Sequence, residues 1–140
     1  MPGRFVLDTN ILSDLLKNPT GKVAQKIASL PAEARDGMAT SIVVAAELRY
    51  GAARSGSPVL ERRVEQLLGA LDVLPLAPDA DRHYGTVRTQ LEKSGMVIGG
   101  NDLLIAAHVL AIDAVLVTDN AREFKRVRGL KLENWLRPQV

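Results

Sequence analysis

Cysteine is absent from all 140 residues, which excludes disulfides and thiolate metal sites and fits a reducing compartment. Aromatic residues are scarce, at 4 % of the chain, so any core has to be packed from Leu, Val, Ile and Ala. Long apolar runs are missing too. The opening Met1-Pro2-Gly3-Arg4 leads into Phe5-Val6-Leu7, far too short a stretch for a signal peptide or a membrane span. The expectation is a soluble, cytoplasmic protein with no membrane association. Repeats, low-complexity tracts and long linkers are likewise absent, and the length suits a single domain over residues 1–140 that can bury a real core.

Charge is close to balanced, with a formal net value of +2, which by itself says little about a polyanionic partner. Distribution says more. Basic residues gather at Arg49 and Arg54, at Arg62 and Arg63, and in the tail at Arg122, Lys125, Arg126, Arg128, Lys131 and Arg137. Such clusters are either a phosphate-binding surface or an ordinary solvated face.

Hydrophobic periodicity divides the chain into alternating strands and helices. Short apolar runs at Phe5–Leu7, Gly37–Thr40, Val73–Leu76, Ala114–Thr118 and Leu130–Leu132 read as strands. Pro75 argues for an edge position or a strand end in the third of these. Helical spacing marks Ile11–Leu16, Lys22–Leu30, a segment running from the cap Ser41 to about Ala53, Val59–Leu71 opened by Pro58, Asp79–Ser94 ended by Gly95, Leu103–Ala111, and a short stretch at Ala121–Phe124. Gly99-Gly100-Asn101 reads as a turn. Strands that are continuous apolar runs rather than alternating ones are buried on both faces. The expected fold is therefore α/β, a three-layer sandwich with a short central parallel sheet flanked by helices.

Four acids stand at telling places. Asp8 directly follows the first strand, and Asp119 directly follows the strand that ends at Thr118. In open parallel sheets ligands bind at the carboxyl ends of strands, so these two carboxylates can share one cleft. Asp102 opens an apolar helix after the glycine turn. Glu47 lies in a helix whose neighbours Ala45, Ala46 and Leu48 look buried. Carboxylates that converge repel one another unless cations or protons balance them. A hard divalent ion with oxygen ligands does this well, Mg²⁺ above all and Mn²⁺ by the same donor set, and such sites suit phosphoryl-transfer chemistry. Each acid also has a structural alternative: a helix cap for Asp8, a helix-start residue for Asp102, an ion pair with Arg49 or Arg54 for Glu47, a turn for Asp119.

Four local words carry a family resemblance. Phe5-Val6-Leu7-Asp8-Thr9-Asn10-Ile11-Leu12 resembles the opening strand and first acid of the PIN-domain family. Ala46-Glu47-Leu48-Arg49-Tyr50-Gly51 is similar to its helical-glutamate segment, and Gly100-Asn101-Asp102-Leu103-Leu104-Ile105-Ala106-Ala107 to its third-acid segment. Val117-Thr118-Asp119-Asn120-Ala121-Arg122-Glu123-Phe124, followed by Gly129–Trp135, resembles the closing segment of VapC-type members. The resemblance implies a Mg²⁺-dependent endoribonuclease acting on structured RNA of the tRNA or rRNA class. It implies catalytic roles for Asp8, Glu47, Asp102 and Asp119, with Asp8 and Asp102 as direct metal ligands. Thr9 and Thr118 are then candidates for hydrogen bonds near the site. Many family members have an Asp where Asn120 stands here, so the fourth acid falls to the adjacent Asp119 or to Glu123, in that order. A VapB-like antitoxin that masks the site, and a homodimer, are the implied partners.

Two other readings compete. A metal-dependent phosphatase of the haloacid dehalogenase type also places an Asp after its first strand, but it needs a second Asp where Asn10 stands. An inert PIN fold that binds RNA or protein would not need the acids Asp8, Glu47 and Asp102 kept together. His108 reads as a partly buried structural histidine, His83 as a surface residue, and Trp135 as packing for the C-terminal strand, with base stacking as the alternative.

Overall fold

The computed structural model describes residues 4–137, so the opening Met1-Pro2-Gly3 and the last three residues lie outside the described residues. Five strands, β1 (Phe5–Leu7), β2 (Ala39–Ser41), β3 (Asp72–Leu74), β4 (Val115–Val117) and β5 (Lys131–Glu133), form one sheet in the order β3-β2-β1-β4-β5. Every pairing is parallel, with Val6 opposite Ala39 on one side and opposite Leu116 on the other. The central strand β1 contributes Val6 and Leu7, both buried, as a sheet covered on two faces demands. The strand around Val73 lies at an edge, where Pro75 just beyond it costs no ladder bond.

Eight helices surround the sheet: α1 (Thr9–Lys17), α2 (Lys22–Ser29), α3 (Ala32–Asp36), α4 (Ile42–Ser55), α5 (Pro58–Gly69), α6 (Ala80–Ser94), α7 (Gly100–Ala111) and α8 (Ala121–Phe124). Their ends follow local chemistry. Ser41 caps α4 through Val43 N at 3.1 Å, and Ser57 caps α5 with Pro58 as its first residue. Gly95 closes α6 in the left-handed conformation, φ 69°, which costs glycine no steric clash. The sandwich read from hydrophobic patterning is the fold observed.

Three local differences have physical reasons. Helix α3 was not expected, because Pro31-Ala32-Glu33-Ala34-Arg35-Asp36 buries no residue and so carries no apolar stripe. The turn expected at Gly99-Gly100-Asn101 is already helix from Gly100, with Gly99 as the uncapped N-cap, which sets Asp102 inside the first turn. Ala46, expected to be buried, is exposed.

The core runs through Leu7, Ile11, Leu12, Val44, Leu91, Ile105, Val109, Leu116 and Phe124, all essentially inaccessible. Trp135 joins it, edge-to-face with Phe5 at a centroid distance of 5.1 Å, while its indole N–H donates to Glu133 Oε1 at 2.9 Å. Packing is thus its role in the fold. No helix among the described residues is long and apolar enough to cross a membrane.

Candidate active site

The carboxyl ends of β1 and β4 and the first turns of α1 and α7 meet at one cleft of about 490 Å³, lined by Asp8, Thr9, Asn10, Glu47, Asp102, Asp119 and Asn120 among others. All four acids expected to share a site therefore line the same cavity. The separation in sequence is bridged by adjacent parallel strands, since Leu7 pairs with Val117, and Asp8 just beyond one strand and Asp119 two residues beyond the other both line the cleft.

Asp8 is the deepest acid, only 4 % exposed. Its Oδ1 accepts the Thr9 backbone N–H at 2.8 Å, so it does cap α1, and its Oδ2 accepts the Thr118 hydroxyl at 2.7 Å. Capping and a place in the cleft are not exclusive. Burial raises its pKa above the ordinary value, those two hydrogen bonds oppose the rise, and the charge of Glu47 adds to it. Asp102 is half-buried, and burial together with the negative charges of Asp8, Glu47 and Glu123 pushes its pKa up to about 6. Glu47 is held by Thr9, whose hydroxyl donates to Oε1 at 2.8 Å. The ion pair expected as its alternative is absent among the described residues for Arg49, which instead takes Glu65 on α5, with one contact at 3.1 Å.

Asp119 is anchored from several sides. Its backbone N–H donates to Asn10 Oδ1 at 3.0 Å, its Oδ1 accepts from Asn134 Nδ2 at 3.0 Å, and Arg137 Nε lies 3.0 Å from the same oxygen as an ion pair. Asn120 donates to Glu123 Oε2 at 3.2 Å. Glu123 thus faces the cluster closely enough to act on Asp102, while Asp119 forms part of the cleft wall.

Thr118 is the junction of the site. Fully buried, its hydroxyl donates to Asp8 and accepts from the Asn120 backbone at 2.9 Å. Asn10 also reaches it, at 3.4 Å.

Some participants escape a reading of the sequence. Asn10, Ser13, Asp14 and Lys17 all line the cleft, and their spacing of three, four and seven is one face of α1. That polar stripe was a signal. Asn134 and Arg137 follow the last strand, and the strand-end rule that singled out Asp8 and Asp119 applies to them equally.

The donor set tests whether a divalent ion fits. Oxygen is offered by carboxylates, amides and hydroxyls, with no sulfur and no imidazole lining the cleft, which is a hard-cation environment. Burial and, after it, the charges of Asp8, Glu47 and Glu123 raise the proton affinity of Asp102, and a cation in the cleft would oppose that rise. Among the described residues, no three acidic or histidine side chains close on a point tightly enough to ligate an ion together. An ion here would keep most of its water shell, as Mg²⁺ does when it takes only one or two protein carboxylates.

His108 lies apart from this cleft. It is buried, its Nδ1 lies 2.8 Å from the Ser41 hydroxyl, and burial lowers its pKa, so the neutral ring serves the β2–α7 contact.

A five-stranded parallel sheet with a central acidic cleft at its carboxyl edge defines a class. Residues 5–130 match the family model for the PIN domain, and the chain belongs to that family. Among characterised relatives, the chain is 36 % identical over 132 residues to Ribonuclease VapC2 of Rickettsia felis, covering 94 % of this chain and 97 % of that one. It is 36 % identical over 135 residues to the tRNA(fMet)-specific endonuclease VapC of Shigella flexneri, covering 94 % and 98 %. In three dimensions it superposes on the VapBC2 complex of Rickettsia felis bound to a promoter DNA fragment with a TM-score of 0.85 at 36 % identity, covering 94 % of this chain and 98 % of that chain. The VapBC-1 structure from nontypeable Haemophilus influenzae gives 0.83 at 36 % identity, with coverage of 95 % and 98 %. Within the PIN family the chain thus stands with the VapC ribonucleases, which leaves the phosphatase alternative without support.

Proposed function

We propose that this protein is a Mg²⁺-dependent endoribonuclease, the toxin of a toxin–antitoxin pair, and that Asp8, Glu47, Asp102 and Asp119 carry its chemistry. The carrying observation is the convergence of these acids in one cleft, where burial first and neighbouring like charges second raise the Asp102 pKa to about 6. Asp8 and Asp102 are assigned as direct ligands, because Asp102 carries the unrelieved negative environment and Asp8 is the buried acid that contributes to it. Mn²⁺ suits the same oxygen donors. When bound, the ion polarises a phosphate and acidifies an attacking water.

The chain's own groups do the remaining work. Thr118 and Thr9 fix the rotamers of Asp8 and Glu47 through their hydroxyls, so the carboxylates present defined oxygens without reorganisation at the moment of reaction. Glu47 and Asp119 hold water and orient the nucleophile. Lys17, on the polar face of α1 at the rim, offers a cation to the RNA backbone beside an otherwise acidic floor.

Structured RNA of the tRNA class is the substrate proposed, in keeping with the name of the Shigella flexneri relative. A VapB-like antitoxin is the proposed partner, since the structural relatives include VapBC complexes. Covering four carboxylates would call for a compensating cation, and an antitoxin arginine supplies one as a charge-assisted, bidentate donor. A cytoplasmic homodimer completes the reading.

The direct test is incubation of the purified chain with bulk tRNA in Mg²⁺ and in EDTA. Fragments in Mg²⁺ alone support the reading. Intact tRNA in both, with the protein folded and free of antitoxin, rejects it.

A further inference from the structure

Asn134 follows β5 and is tied into the molecule from both ends of its amide. Its Oδ1 accepts the backbone N–H groups of Leu136 and Arg137 at 2.9 and 3.0 Å, which folds the chain back in a tight turn. Those two donors fix the orientation of the amide, so Nδ2 must face the other way. There it donates to Asp119 Oδ1 at 3.0 Å. The frame beneath is rigid, because Thr118 N–H donates to the carbonyl of Glu133 at 2.9 Å and locks β4 to β5 one residue before each partner.

Arg137 Nε also lies 3.0 Å from Asp119 Oδ1 as an ion pair, but that side chain is 79 % exposed, and a solvated pair of this kind contributes little. Asn134 is only partly exposed and is held by three hydrogen bonds. Both contacts fall on the same carboxylate oxygen. Oδ2 of Asp119 accepts no hydrogen bond from the described residues, and Asp119 lines the acidic cleft. One oxygen is thus spent on the scaffold and the other is left for the cleft.

From this geometry we infer that Asn134 is a positioning residue for Asp119: it clamps one carboxylate oxygen so that the other stands ready at the cleft, and it couples that orientation to the C-terminal turn over residues 134–137. The inference rests on the nuclease reading of the same cleft. It also gives Leu136, which lines the cleft, a defined place on the wall.

A double-mutant cycle tests it. Asn134→Ala should lower kcat on bulk tRNA about ten- to a hundredfold, the usual effect of removing a partner that orients an active-site ligand, with KM for tRNA little changed. Trp135 is the only tryptophan and neighbours Asn134, so its fluorescence during Mn²⁺ titration gives a second readout, in which the midpoint moves to higher Mn²⁺ in Asn134→Ala. Asn134→Asp keeps the acceptor for the two tail amides but loses the donor. It also sets a second carboxylate against Asp119 Oδ1, so it should slow cleavage at least as much as Asn134→Ala. In Asp119→Asn, adding Asn134→Ala should cost nothing further, as it must if Asn134 acts through Asp119. A fully additive double mutant, or Asn134→Ala at the wild-type rate and Mn²⁺ midpoint, overturns the inference while leaving the nuclease reading intact. A wild-type protein that neither cuts tRNA nor responds to Mn²⁺ overturns both.

Discussion

Asp8 and Thr118, 110 residues apart in the chain, share a buried hydrogen bond of 2.7 Å that joins the ends of the two central strands. Removing it has consequences on two levels. Thr118→Val deletes the donor to Asp8 and the acceptor for the Asn120 N–H in a site with no water access to replace them. We expect a loss of about 1–3 kcal/mol in urea unfolding, the cost of leaving a buried polar group unpaired. Divalent-ion affinity, measured by calorimetry, should fall about tenfold or more because Asp8 is no longer oriented. An unchanged affinity would assign Thr118 to structure alone.

Asp8 has two tasks, and substitutions separate them. Asp8→Asn keeps an oxygen for the Thr9 N–H and should leave the fold intact while reducing RNA cleavage to background. Asp8→Ala loses the cap as well and should be less stable than Asp8→Asn by about 1 kcal/mol. Circular dichroism melts and a tRNA cleavage assay decide this, and full cleavage by Asp8→Asn is the outcome that refutes the assigned site.

Asp102 makes stability depend on pH in the metal-free protein. Its pKa rises from 3.8 to about 6 on folding, so between those values the folded state holds a proton that the unfolded chain releases. Folding is therefore favoured by this group as pH falls through about 6, and the penalty is fully present above it. Asp102→Asn should be more stable than wild type at pH 7.5 by about 1 kcal/mol once solvent screening at a half-buried site is allowed for, and the gap should narrow as pH falls through about 6 and close only below 3.8. Added Mg²⁺ should close it at pH 7.5 too, and the same variant should not cleave RNA. A gap that ignores both pH and Mg²⁺ would contradict the crowding of charge described above.

His108 works in the opposite direction. Burial lowers its pKa below 6.5, so the unfolded chain takes up a proton that the folded state resists. Its contribution is neutral above 6.5 and becomes destabilising as pH falls below that value. His108→Gln should unfold more easily at pH 7.5, because the contact to Ser41 is disturbed, yet show a shallower loss of stability between pH 6.5 and 5. Denaturant midpoints across that range provide the check.

Much of this architecture was legible in advance because its signals are local. The β1 run Phe5–Leu7, the cap at Ser41, Pro58 at the head of α5 and Gly95 at the foot of α6 each depend on residues within a turn of one another. Helix α3 was missed because it lacks the apolar stripe that makes a helix visible, and Ala46 was misplaced because alanine tolerates either side of a helix.

Sequence alone determined that acids stand at strand ends and helix starts of a parallel α/β chain, since strand length, helix period and cap chemistry are written in neighbouring residues. Only the tertiary structure decided that Asp8, Glu47, Asp102 and Asp119 line one cleft, that Glu123 acts on Asp102, and that Asn134 holds a particular oxygen of Asp119. Those relations depend on which strands lie side by side and on the direction of single side chains. Both are set by packing across the whole chain rather than by any short stretch of it.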